Sequence, residues 1–174
     1  MRKLINFLAC FLFLTLSFQA GAADTKNYTL GAGDKVRVTV FGEPYLSGEF
    51  TVNANGTVSL PLIDPVLVAG KTLSQTEALI RERLAAGFIS DPKVSVDIMQ
   101  YRPFFIMGEV KNPGSFPYVA DMTVLHAVAI AGGYTPRASQ SKIVLQRGDQ
   151  EDMPVKSSTP VLPGDVITVK ERFF

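Results

Sequence analysis

"LGAGDKVRVTVFGE", Leu30 to Glu43, is echoed near the end of the chain by "LPGDVITVKERFF", Leu162 to Phe174. Both carry Gly-Asp followed by alternating β-branched residues, G-D-x-(Val/Ile)-x-Val, and the two glycines, Gly33 and Gly164, stand 131 positions apart. Gly-Asp is turn chemistry: glycine takes a φ that other residues avoid, and the aspartate side chain can bond a nearby backbone N–H. The alternation that follows is the period of a half-buried strand. Each phrase therefore feeds a strand, and the pair frames nearly everything between. Asp34 and Asp165 are expected to lock turns rather than to act as acids, so Gly→Val at Gly33 or Gly164 is expected to strain the fold. Asp34→Asn is expected to be milder.

Working inward from the first phrase, "EFTVNANGTVSLPLI" reads as two strand-like flanks around Asn55-Gly56, a dipeptide that favours a tight hairpin turn. The period then changes at "GKTLSQTEALIRERLAAGF". Thr72 with Gln75 three residues on makes a capping box, Leu73, Leu79, Ile80 and Leu84 share one face, and Gly87 can end the segment, which predicts a helix over 73–86. Strand alternation resumes in "PKVSVDIMQ" and again in "PFFIMGEV", with Asn112-Pro113-Gly114 as a turn. A second, shorter helix over 123–131 follows from Val124, Leu125, Val128 and Ile130, with Asp121 as its cap and Gly132-Gly133 as its end. "SKIVLQR" and "DVITVKE" are the last strands, and "GDQEDMPVKSSTP" between them is a hairpin arm or loop.

Strands, helix, strands thus occurs twice, with a division near Gln100 to Pro103. Helices segregated on antiparallel sheets place the chain in the α+β class: residues 23–100 form a β-rich domain with one main helix, residues 101–174 a second with one short helix. Each half has about 70 residues, a size at which a lone core is marginal, so the halves are expected to pack on one another or on neighbouring subunits.

Residues 1–22 differ from the rest. Arg2 and Lys3 precede a mostly apolar run from Leu4 to Phe18, and Ala20-Gly21-Ala22 supplies small residues for cleavage, which reads as a signal peptide cut after Ala22. The run is shorter than the about 20 apolar residues of a membrane span, with an uncleaved anchor as the alternative. Cys10, the only cysteine, falls inside it, so the mature chain has neither disulfide nor thiol chemistry. Removing this segment takes away two basic residues and leaves 15 basic against 16 acidic side chains. Nucleic acid is a poor partner for such a chain, because phosphate binding needs clustered Lys and Arg.

The catalytic inventory is thin. His126 is the sole histidine, and it cannot by itself build a metal cluster or a triad. "GAGDKV" lacks the third glycine of a dinucleotide loop and enters a strand. Glu43, Glu49, Asp64, Asp97 and Glu109 are available for glycosidase chemistry, but nothing in the spacing pairs any two of them. Tryptophan is absent, leaving Tyr45, Phe50, Phe104, Phe105, Tyr118 and Tyr134 as smaller platforms for stacking on sugars. No cofactor or metal site is expected.

Several short motifs, in order, carry a family resemblance. Tyr28-x-Leu30-Gly31-x-Gly33-Asp34, Val52…Gly56-x-Val58…Pro61-Leu62, Gly70-x-Thr72-Leu73 and Asp91-Pro92-x-Val94-x-Val96 resemble the export domain of the Wza-like polysaccharide biosynthesis/export proteins. Gly108-Glu109-Val110-x-x-Pro113-Gly114, Ala131-Gly132-Gly133, Ala138 and Pro163-Gly164-Asp165 resemble the soluble-ligand-binding β-grasp domain that follows it in that family. The resemblance implies a periplasmic, non-enzymatic component of capsule or exopolysaccharide export that forms or joins a homo-oligomeric ring around the polymer and docks on an inner-membrane polymerisation partner. Longer members carry further repeats and an outer-membrane helix, whereas this chain stops at Phe174. The expectation is therefore a separate outer-membrane channel, with this protein periplasmic or peripheral at that membrane. Tyr45, Arg102, Tyr118, Tyr134 and Arg137 are the candidate contacts to glycan or partner. A soluble glycan- or small-ligand-binding module that forms no channel is the alternative, separable by oligomer mass.

Overall fold

The computed structural model describes residues 28–172, so the expected signal peptide lies outside the described residues. β1 (Lys35–Val40) follows the first Gly-Asp turn and places Val36, Val38 and Val40 in the interior. It is the middle strand of an antiparallel sheet, with β2 (Gly48–Thr51) on one side. A short ribbon of β3 (Thr57–Val58) and β4 (Val66–Leu67) then leads to α1 (Leu73–Ala85). The Thr72–Gln75 capping box forms, with Gln75 N–H on Thr72 Oγ1 at 3.3 Å and Thr72 N–H on Gln75 Oε1 at 3.0 Å. α1 turns Thr76, Ile80 and Leu84 inward, while Leu73 and Leu79 are half-buried at the edge of the core. β5 (Val94–Gln100) closes the sheet order β2-β1-β5.

Two local expectations are corrected here and in the second half. The Asn55-Gly56 turn does fold the chain back, with Asn53 N–H on Thr57 C=O at 3.0 Å, but as a longer loop than a two-residue hairpin turn, and the flanking strands take other partners, β2 with β1 and β3 with β4. Gly56 N–H closes on Asn53 C=O at 2.9 Å, and in this turn only Gly56 has a positive φ, +75°. Asn53, rather than Asn55, supplies the side-chain bonds, to the N–H groups of Asn55 and Thr57. A turn followed by one left-handed glycine needs no second positive φ. At the second helix Asp121 is not the cap: it sits in a turn with φ +62°, and Thr123 is the N-cap residue. Exposed His126 reaches back so that its Nδ1 accepts the Thr123 N–H at 3.2 Å, the part usually taken by Glu or Gln in a capping box.

The second half contains β6 (Phe104–Gly108), β7 (Gly114–Phe116), α2 (Val124–Ile130), β8 (Ala138–Gln146), β9 (Met153–Val155) and β10 (Val166–Glu171). Its sheet order is β7-β6-β10-β8-β9. β6 and β10 run parallel while the other pairs are antiparallel, so this sheet is mixed rather than wholly antiparallel. A parallel pair needs a long crossover, and the chain from β7 through β9 supplies it. α2 buries Val124, Ala127 and Val128 against the sheet and leaves Leu125 and Ile130 outside. The α+β class stands, with two separate cores: one around Val38, Ile80 and Leu84, the other around Phe104, Ile106, Leu145 and Ile167. Among the described residues no helix is long and apolar enough to cross a membrane.

Candidate functional site

The two Gly-Asp turns are built alike, bond for bond. In the first, Asp34 N–H donates to Gly31 C=O at 3.1 Å and Gly31 N–H donates to Asp34 Oδ2 at 2.8 Å. In the second, Asp165 N–H donates to Leu162 C=O at 3.1 Å and Leu162 N–H to Asp165 Oδ2 at 2.7 Å. Gly33 and Gly164 occupy the third position with φ of +94° and +86°, which is where a type II turn requires a positive φ. Pro163 presets the second position of its turn.

Each turn buries its carboxylate, and each carboxylate holds a guanidinium, as a buried charge must. Asp165 accepts Arg147 Nε and Nη2 as a two-pronged fork, both at 2.9 Å. That contact pushes the Arg147 pKa further above its ordinary value. Asp34, fully buried, takes Arg102 from the segment joining the halves: the backbone N–H on Oδ1 at 2.7 Å and Nη1 on Oδ2 at 2.9 Å. Tyr28 completes the set. Its hydroxyl donates to Asp34 Oδ2 at 2.6 Å and accepts from Arg102 Nη1 at 2.9 Å, while Arg102 Cζ lies 5.7 Å from the Tyr28 ring centre. Burial first, and then the bond to Asp34, push the Tyr28 phenol well above its ordinary range.

Arg102 also crowds two of the turn glycines. A Cβ on Gly31 would lie 2.4 Å from Arg102 Nη1, and one on Gly164 would lie 2.8 Å from Arg102 Nε. The arginine is thus threaded between the first turn and the second. The second turn grips the same segment through its backbone, with Gly164 N–H on Pro103 C=O at 3.0 Å and Phe105 N–H on Asp165 C=O at 2.9 Å.

Beside this clamp a cleft of about 570 Å³ opens between the halves, within the range of small-ligand sites. Tyr28, Tyr101 and Tyr118 line it as an edge-to-face series, with ring centres 5.0 Å apart at 90° and 5.2 Å apart at 77°. Arg102, Arg147, Ala120, Asp121 and the second turn also line it. Burial raises the pKa of both Tyr101 and Tyr118.

Of the five expected contact residues, Arg102 and Tyr118 meet at this cleft. Tyr45 stands 91 % exposed on a 3-10 turn of the first half, Tyr134 packs half-buried against the second core, and exposed Arg137 pairs with Glu171. The remaining motif residues serve the backbone. Gly56 closes its turn, Pro92 is buried before β5, and Pro61 is exposed. A Cβ on Gly108 would fall 2.1 Å from Val169 O across the parallel pair, and Glu109 accepts the Thr135 hydroxyl. Pro113 and Gly114 open β7, and Gly132 and Gly133 follow α2 with positive φ. Tyr28, expected only as a motif residue, and Tyr101 and Arg147 are absent from the expected contacts. The available signal was electrostatic: two turns that bury carboxylates require two cations near them.

Comparison with known proteins follows the same division. Residues 22–99 match the model of the polysaccharide biosynthesis/export proteins, and residues 103–156 match that of the SLBB domain. The exopolysaccharide production protein ExoF of Rhizobium meliloti is 36% identical over 126 residues, 66% of this chain and 30% of that protein. The polysialic acid transport protein KpsD of Escherichia coli is 33% identical over 144 residues, 80% of this chain and 26% of that protein. The capsule polysaccharide export outer membrane protein CtrA of Neisseria meningitidis is 31% identical over 131 residues, 70% of this chain and 34% of that protein. The chain therefore spans about a quarter to a third of the length of these relatives.

Proposed function

Because the chain belongs to the polysaccharide biosynthesis/export family, we propose that it is a non-enzymatic periplasmic component of a capsule or exopolysaccharide export machine. Residues 23–100 and 101–174 are its two domains. Copies of it form or join a ring that guides the polymer from an inner-membrane polymerisation partner to a separate outer-membrane channel. The observation that carries this is the clamp: two domains matched in tandem are tied by one arginine between two turns, so the pair is built as one rigid unit. Its acidic groups favour architecture over chemistry, since Asp34 and Asp165 are buried and already surrounded by donors. Exposed Phe105 and Met107, two residues apart on β6 and so on one face of the strand, form an apolar surface that supports assembly with other chains.

Size-exclusion chromatography with light scattering tests the ring, and cross-linking in cells followed by fractionation tests the partners. A high-order oligomer that captures an outer-membrane protein is expected, along with an intact mass lacking residues 1–22. A monomer or dimer without such a partner would refute the assembly. The cleft beside Arg102 favours a second reading, a glycan-binding module that forms no channel, and that outcome would select it.

A further inference from the structure

We infer that the cleft between the halves is a saccharide subsite that holds an uncharged sugar unit against Tyr101 and Tyr118. This rests on the export reading for the class of ligand, and on the cleft itself for place and charge. Tyrosine rings present apolar surface together with a polar hydroxyl, which matches a sugar ring with its C–H face and its rim of hydroxyls. Three such rings, in edge-to-face contact with one another, line the cleft, so apolar ring surface and phenol hydroxyls lie together there.

The charge of the ligand follows from the arginines. A cleft lined by Arg102 and Arg147 looks at first like an anion site, but each guanidinium is committed to a buried carboxylate. An anionic sugar could reach only the N–H groups that these pairs leave over, and it would meet guanidinium charges that buried carboxylates already balance, so little net attraction remains for it. Asp121 at the exposed edge adds a further negative group. Nucleotides and acidic sugars are therefore disfavoured. Neutral sugars can share the polar edges of the paired groups without separating them.

The protein has no tryptophan and five tyrosines, three of them at this cleft, so its intrinsic tyrosine emission reports the site directly. The full-length exported protein is titrated with cellotetraose, maltotetraose and neutral fragments of the producing cell's own polysaccharide, with tetragalacturonate as the acidic probe. A saturable emission change is expected with at least one neutral probe by about 10 mM, where a site of roughly millimolar Kd is filled. Tetragalacturonate should bind at least about tenfold more weakly, a difference of about 1.4 kcal/mol. Ala120→Phe fills the cleft from an exposed lining position that has no part in the clamp, and should weaken binding about tenfold or more while melting at the parent temperature. Tyr45→Phe, at a position that does not line the cleft, should bind as the parent does. Absence of saturation with every neutral probe, tighter binding of tetragalacturonate, or undiminished binding by a folded Ala120→Phe protein would each overturn the assignment. A protein that assembles and supports export yet binds no glycan loses only the subsite. One that binds glycan as a monomer, and whose deletion leaves surface polysaccharide unchanged, loses only the export reading.

Discussion

Asp34 uses both carboxylate oxygens: Oδ1 takes the Arg102 backbone N–H, and Oδ2 takes Tyr28, Gly31 and Arg102 Nη1. Asparagine would set an NH₂ group against one of these donors and remove the charge that balances Arg102. The mild effect expected from the sequence is therefore revised: Asp34→Asn should cost about 3 kcal/mol, the low end for a broken buried pair because Arg102 is partly exposed, read from chemical denaturation. Gly31→Ala is the sharper test of the clamp, since Gly31 has no positive φ and the nearest atoms a Cβ would meet all belong to Arg102. Losing charge-assisted bonds of Arg102 should cost about 1.5–3 kcal/mol. Gly164→Ala should cost more, because strain at φ +86° of about 1–3 kcal/mol is added; a neutral Gly31→Ala would mean that Arg102 does not hold this position. Tyr28 gives the pH dependence. Its phenol is raised in the folded state, whereas an unfolded tyrosine titrates near about pH 10. Its contribution is complete below that pH and is lost as pH climbs beyond it towards the folded value. Stability should thus fall from about pH 10 upward, and Tyr28→Phe should flatten part of that decline in alkaline melts.

Among the elements, what the sequence made legible was whatever depends on near neighbours. Val36, Val38 and Val40 announce β1 by alternation, and Thr72 with Gln75 announces the start of α1. Thr72→Ala should cost about 1 kcal/mol and lower Tm by about 2–4 °C at this chain length, while leaving the cleft intact. The second helix was legible in type and extent but not in its start, since a histidine in the N3 place is not the usual capping signal and Asp121 is the commoner cap. The parallel pairing of β6 with β10 was hidden for another reason: alternation gives a strand its two faces but says nothing of which strand lies beside it. The site was half legible. Both Gly-Asp turns and Arg102 could be picked out locally, but Arg147 meets Asp165 from the end of β8, and such a meeting exists only once the sheet has formed.

For the whole molecule, the clamp decides how the halves behave together. Each carries a core of marginal size, and the contacts of Arg102, Pro103 and the second turn couple them. The parent protein should therefore melt in one calorimetric transition. Arg102→Ala removes the guanidinium while leaving the backbone N–H on Asp34, and should broaden that transition or split it in two, with the cleft tyrosines changing in the earlier step. One sharp transition at an unchanged temperature would show that the halves are held by something else. The threading of Arg102 between Gly31 and Gly164 also reaches beyond energetics, into descent. Positions 31, 34, 102 and 164 lie on both sides of a domain junction yet share one side chain, so none can drift alone. Recombination that brought in a second half with a larger residue at 164 would have to give up the arginine, and with it the partner of a buried aspartate in the first half. The two halves are thus matched to each other across the junction, and an exchange of either half has to keep that match.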